Sequence, residues 1–292
     1  MIYWLAIPVL VLIIAVLNFT FYNKKQQQIK KQNVRYCLHK LVQLKSLLIL
    51  IQQHRGQSTA YLHGDQNVFL SILQLRKQVD KQWRTLSTDY PALTTDKLFE
   101  GIHNHWDRLK VRFEALQATN NIDQHNRLLN NLLYLIENQA EQNIALTKMS
   151  RAAGLGIIWK ELLDTIEAIG QTRAIGVGIV ASRKSTAVER IQLKFLVDKV
   201  NNRLNELEKS LNTSKSLASK PTDINMAWSK AFTQQAKINA EQLTLFINNQ
   251  LLQDKVISIS TEAFFNLASN TIKPLDEIFN QTSNRLMEEY FS

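Results

Sequence analysis

"LLILIQQHRGQSTAYLHGD", residues 47–65, begins like the inside of a buried helix and then meets an arginine followed by a glycine. On a heptad seam through Leu41, Leu44, Leu48 and Ile51, the next positions are Arg55, Ser58 and Leu62. The Arg55 side chain is therefore expected to point at the core. The pattern returns 118 positions later: Trp159, Leu162, Ile166 and Ile169 form the same seam, and Arg173, Gly176 and Val180 continue it. Identity between the two windows is low, confined to pairs such as Leu44/Leu162, Ile51/Ile169, Gln53/Gln171 and Arg55/Arg173. The shared phase of the arginine within the seam, more than the identities, suggests two related halves.

The rest of the chain fits that division. Its 292 residues include only 8 Gly and 4 Pro, too few breakers for a protein of many short strands and hairpins. An all-α fold follows. Polar punctuation predicts helical segments near 26–63, 67–89, 95–118, 122–150, 154–182, 185–212, 221–252 and 260–290. Four fall in each half, and short polar loops between long helices predict antiparallel neighbours. The expectation is two tandem antiparallel four-helix bundles, residues 40–152 and 153–292, with the seam at "MSRAAGLG" (149–156). "TSKSLASKPTD" (213–223), with Pro221 near a helix start, reads as a connection inside the second bundle.

Residues 2–22, "IYWLAIPVLVLIIAVLNFTFY", carry no charge. At about 1.5 Å per residue such a run covers the ~30 Å hydrocarbon core of a bilayer. It lacks the basic start and small-residue cleavage site of a signal peptide, and Trp4, Phe19, Phe21 and Tyr22 fit an interfacial belt. The expectation is an N-terminal single transmembrane helix over 1–23, followed by a basic juxtamembrane helix over 24–39. Lys24, Lys25, Lys30, Lys31, Arg35, Lys40, Lys45 and Arg55 all precede Asp65, the first acidic residue. By the positive-inside rule this predicts a single-pass membrane protein with the bulk of the chain cytoplasmic; for a bacterial chain that membrane is the inner one. The same run explains much of the formal net charge of +10 through topology and anionic lipid. Beyond residue 64 basic residues are interspersed with acidic ones, which argues against nucleic acid as a partner.

A buried cation needs an anion or a carboxylate. The acid closest to Arg55 along its own helix is Asp65, ten residues on. If the two first helices face each other, Arg55 and Arg173 converge, and an oxyanion between them would relieve their repulsion. Arginine suits that task because its planar fork offers paired donors. Gly56, Gly176 and Gly178 permit close helix approach, and Ser58 could donate to the same anion or bond its own helix carbonyl. The alternative keeps the arginines internal, at bundle edges or paired with Glu137, Glu161 or Asp164.

"HRGQSTAYLHG" (54–64), "IGQTRAIGVGI" (169–179) and "EAFFNLASNTIKPLDEIF" (262–279) resemble the nitrate- and nitrite-sensing (NIT) domain of bacterial receptors and antiterminators. The resemblance covers about residues 40–290, and its most specific element is the Arg-Gly-x-Ser run at 55–58. It implies two four-helix bundles that bind nitrate or nitrite between them through arginines, with Arg55 and Arg173 carried over, and that transmit binding to an output. Gly56 and Ser58 complete the candidate ligand set. Two departures stand out: a single expected membrane helix, and no kinase, cyclase, methyl-accepting or RNA-binding module after the second bundle. A separate protein partner is then expected to read the signal, and a homodimer along the first helix is left open.

Other chemistry is poorly supported. The sequence has no phosphate loop, serine elbow or paired-carboxylate constellation, so an enzyme is not expected, and no cofactor is. His54, His63, His103, His105 and His125 lack metal-ligand spacing, and lone Cys37 reads as a reduced thiol. Trp83, Trp106, Trp159 and Trp228 read as core. The competing functional reading is a membrane-tethered helical adaptor or scaffold with no small-molecule ligand.

Overall fold

In the computed structural model, residues 3–143, 156–217, 227–253 and 256–289 are described. The described residues are almost entirely helical, without a strand, as the scarcity of breakers predicts. The long helices are α1 (Tyr3–Leu62), α2 (Phe69–Asp89), α3 (Lys97–Arg112), α4 (Ala118–Glu141), α5 (Glu161–Ser182), α6 (Ala187–Leu217), α7 (Ala227–Phe246) and α8 (Thr261–Glu289). A single turn, Gly156–Trp159, precedes α5, and a π-helical turn, Ile247–Leu251, follows α7. The expected seam at 149–155 and most of the 213–223 connection, with Pro221, lie outside the described residues, as does the Trp228 side chain.

The helix ends follow local chemistry. At the end of α1, Gly64 sits at φ +106, its N–H donating to Tyr61 O while Asp65 N–H reaches back to Ala60 O. This paired closure requires a residue that tolerates the left-handed region. Asp96 caps α3 through Leu98 N–H. Thr186 and Glu189 cap α6 reciprocally, each side chain accepting from the other's backbone N–H, the arrangement of a capping box. Pro274 lies inside α8 and removes one backbone donor. The carbonyl four residues earlier, Asn270 O, instead accepts from Asn239 Nδ2 at 2.8 Å.

In the first half α1 packs on α2 and α4, and α3 packs on α4. In the second half α5 packs on α6 and α8, while α7 joins α6 to α8. The two halves meet through α1 and α5. Gln52 and Arg55 touch Glu167, Gly56 lies beside Arg173, and Thr59 and His63 lie beside Gly178. Contacts advance together along both helices, so α1 and α5 run parallel, close to the register of the sequence offset. One apolar core crosses both halves, from Val34 to Ile51 on α1, Ile158 to Ile169 around α5, and on to Leu286. A second cluster begins at Ala60 and Ile175 and includes Phe264. Between them lies a polar layer containing Gln52, Arg55, Ser58, Glu167 and Arg173, all buried or nearly so.

The N-terminal expectation is corrected. Among the described residues no helix is long and apolar enough to cross a membrane, which contradicts the single-pass inner-membrane localisation and the anchor over 1–23. The charge-free run is not an element of its own, because α1 continues unbroken through Lys24 and Lys25 into the packed region. Among the described residues the charge rule has no span to orient.

Candidate functional site

Arg55 is one of the largest fully buried side chains, at 0% exposure. Its Nη1 donates to Glu167 Oε1 at 2.6 Å and its Nη2 to Glu167 Oε2 at 3.2 Å, the two-pronged pairing that a guanidinium makes with a planar anion. Nη1 also reaches Asn126 Oδ1 on α4 at 2.6 Å. The Glu167 carboxylate, 3% exposed, accepts further from Gln52 Nε2 at 2.7 Å and Gln171 Nε2 at 3.0 Å. Four donor groups therefore fix this one anion. Gly170 makes room for the pair, since a Cβ there would lie 2.8 Å from Arg55 Nη2.

Arg173, 3% exposed, is treated differently. Its Nη1 donates to Ser269 Oγ at 2.8 Å, and its guanidinium lies over the Phe265 ring, 4.4 Å from the centroid. Its Nε, like that of Arg55, is buried without an acceptor. Burial first, and then the neighbouring Arg55 cation, push its pKa down to about 9, with Glu167 pulling the other way. It remains a cation at neutral pH, held by a neutral hydroxyl and a ring face.

The surrounding packing brings α8 close. A Cβ on Gly56 would lie 3.0 Å from the Phe265 ring and 3.9 Å from Arg173 Nε, and one on Gly176 would lie 2.3 Å from the buried Phe264 ring. Phe265 also lines a cavity of about 670 Å³ between the two halves, with Gln57, Asn67 and Ser71 on one side and Arg183, Ser260 and Asn266 on the other.

On the other flank of Arg55, Ser58 Oγ donates to Arg55 O at 3.1 Å and accepts from Asn121 Nδ2 at 2.9 Å. The hydroxyl thus takes the backbone bond anticipated as its alternative role. His54 and His125 are fully buried and 2.9 Å apart. His125 Nδ1 lies 2.8 Å from Asn121 O and must donate to it, so its Nε2 accepts from His54 Nδ1. Burial, reinforced by neighbouring cationic and imidazole groups, holds His54 well below the usual histidine range. Burial likewise drives His125 down to about 3, against the bond to Asn121. Both rings are neutral.

The sequence thus places Arg55, Gly56, Ser58 and Arg173 correctly in one buried layer, but the carboxylate that pairs with Arg55 is not among those anticipated. Glu137 pairs with Lys160 and Asp164 with Arg203, and Glu161 is not a partner of either arginine. Glu167 had a legible signal. Between Asp164 and Arg183 the only charged residues are Glu167 and Arg173, and a helix apolar on all sides is buried, so its charges must find partners inside. Gly170 had only proximity to that glutamate to mark it.

A family model described as "Nitrate and nitrite sensing" matches residues 46–287. Among solved structures, the chain is similar to that of the NasR transcription antiterminator, with a TM-score of 0.67 at 16% identity over 94% of this chain and 74% of the other. At that identity the likeness concerns the fold. No curated protein matches the chain.

Proposed function

Because the chain belongs to the nitrate- and nitrite-sensing (NIT) family, we propose that it is a regulatory sensor whose ligand, nitrate or nitrite, binds in the polar layer between α1 and α5. The reading treats residues 40–152 and 153–292 as two four-helix bundles that meet along this helix pair. The observation that carries it is Arg173, a buried guanidinium that meets only a hydroxyl and a ring and has an Nε without an acceptor. A planar oxyanion with two or three acceptor oxygens matches such an edge. Arg173 makes the principal contact, and Arg55 adds charge from the other half. Gly56 keeps the α1 backbone open beside Arg173 Nε, while Ser58 acts through the Arg55 carbonyl and Asn121.

An anion that bridges the two halves favours whichever arrangement of α1 against α5 brings the arginines together. The shift in population is limited by its difference in affinity for the two arrangements. The signal leaves through α1, which extends from the packed region around Val34 back to Tyr3, to a separate protein partner. A second reading, a helical adaptor with internally satisfied arginines, draws support from the pairing of both Arg55 terminal nitrogens with Glu167 and Asn126.

Titration calorimetry of the full chain with nitrate and nitrite separates the two readings. The sensor binds at least one of them and loses about 10- to 100-fold in affinity in Arg173→Gln, the loss of one or two charge-assisted bonds. An adaptor shows no heat of binding for either anion.

A further inference from the structure

The ion count of the polar layer is uneven. Among the described residues the buried charged side chains are Lys45, Arg55, Glu167 and Arg173, the buried histidines being neutral. Lys45 has its own carboxylate, Asp276, with Asn280 beside it. Two guanidiniums and one carboxylate remain, a side-chain charge of +1 in a layer closed above and below by apolar clusters. That carboxylate has no freedom to serve both cations. Its oxygens are taken by the Arg55 fork, Gln52 and Gln171. Arg173 receives the Ser269 hydroxyl and the Phe265 ring, with Nε unmatched.

We propose that Glu167 sets the charge of the ligand: with its carboxylate locked on Arg55, the layer accepts one monovalent oxyanion beside Arg173 and discriminates against divalent oxyanions such as sulfate. This rests on the reading of the arginine layer as the oxyanion site. One monoanion brings the layer from +1 to zero. A dianion takes it to −1, leaving the same imbalance with the opposite sign and placing it near a carboxylate that cannot move away. Buried charge is tolerated only when it is balanced, so the count itself selects. Glu167 is on this account a specificity-determining residue that need not touch the ligand.

The measurement is the ratio of nitrate to sulfate affinity at matched ionic strength, in the full chain and in three variants. The wild-type protein binds nitrate or nitrite more tightly than sulfate. Glu167→Gln raises the layer to +2 and narrows that ratio by about tenfold or more, the scale of one unit charge at this range in a protein interior. Glu167→Asp keeps the charge and keeps the ratio. Arg55→Met combined with Glu167→Gln removes the pair together, restores +1, and keeps the ratio even if both affinities fall. A folded Glu167→Gln variant with the wild-type ratio overturns the proposal, as does wild-type protein that takes sulfate as tightly as nitrate. If Glu167→Gln does not melt cooperatively, the double variant decides: an unchanged ratio supports the proposal, and a tenfold loss of selectivity overturns it. Wild-type protein that binds none of these anions overturns the oxyanion reading itself, and the proposal with it.

Discussion

Arg55 and Arg173 occupy matching places in the two halves of the molecule, yet they live in different chemistry. Each sits on the seam of its helix, and each reaches the last helix of its own half, Arg55 to Asn126 on α4 and Arg173 to Ser269 on α8. Arg55 has a two-pronged carboxylate. Arg173 has a hydroxyl and an aromatic face, while the Nε of each arginine is without an acceptor. The repeat therefore duplicates the position of a buried cation but not its compensation. One carboxylate, contributed by α5, is divided unequally between the two cations. On the proposed reading, Arg55 is the structural half of the site and Arg173, which meets no carboxylate, is the half that binds the anion.

The sharpest way to break this comparison is to neutralise each arginine in turn. Arg55→Met leaves Glu167 buried with only amide donors and is expected to destabilise the protein by about 3–5 kcal/mol, the range for breaking a buried ion pair from one side. Arg173→Met removes a cation that lacks a carboxylate of its own, and is expected to be neutral or to stabilise in the absence of added anion. Urea unfolding of both variants checks this, and equal losses would erase the distinction drawn between the two residues.

Packing gives a somewhat smaller effect. Gly176→Ala places a methyl in the Phe264 ring, at 2.3 Å, and should cost about 1–3 kcal/mol, as overpacking of a core does. Gly170→Ala places one 2.8 Å from Arg55 Nη2, so it should lose stability on the Arg55 side while leaving the ring stacked on Arg173. Thermal melts of the two variants, each with and without nitrate, report both consequences.

The histidine pair predicts a pH dependence confined to the first half. Both rings are neutral when folded, their pKa values depressed below the unfolded value of about 6.5. The unfolded chain therefore binds more protons below that pH, and stability falls as pH drops from about 6.5 toward the His125 value of about 3. Well below pH 6.5 each histidine contributes a slope of up to about 1.4 kcal/mol per pH unit. A melting temperature that stays level between pH 6.5 and 5 would contradict the buried neutral pair. The smallest expected change is at the α6 cap, where Thr186→Ala should cost about 1 kcal/mol and leave anion binding untouched.

The polar layer was legible where periodicity could reach it. Seam spacing alone put Arg55 and Arg173 into the core, and the 118-residue offset raised the arrangement in which the two helices face each other; that Gly56 meets Arg173 is seen only in the structure. The eight helical segments were also legible, because 8 Gly and 4 Pro left few places to stop. Partner choice was not. Glu167 lies one residue off the seam of its own helix, and which cation it meets depends on how α1 and α5 approach, a tertiary fact with no local trace. The N-terminal run misled for a related reason: hydropathy scored it as a separate unit, whereas α1 carries it without interruption into the charged, packed remainder of a 60-residue helix. His54 and His125 looked like scattered histidines until the packing of α1 on α4 stacked them.

Thermal unfolding of the full chain tests most directly whether Arg173 binds a monovalent oxyanion, as proposed. Nitrate, nitrite, sulfate and chloride at matched ionic strength are compared for wild-type protein and Arg173→Met. The account predicts a melting temperature raised by several degrees with nitrate or nitrite at about 100 times Kd, little response to sulfate or chloride, and no anion-selective rise in the variant. Identical curves in all four salts, or a nitrate response that survives in Arg173→Met, would contradict it.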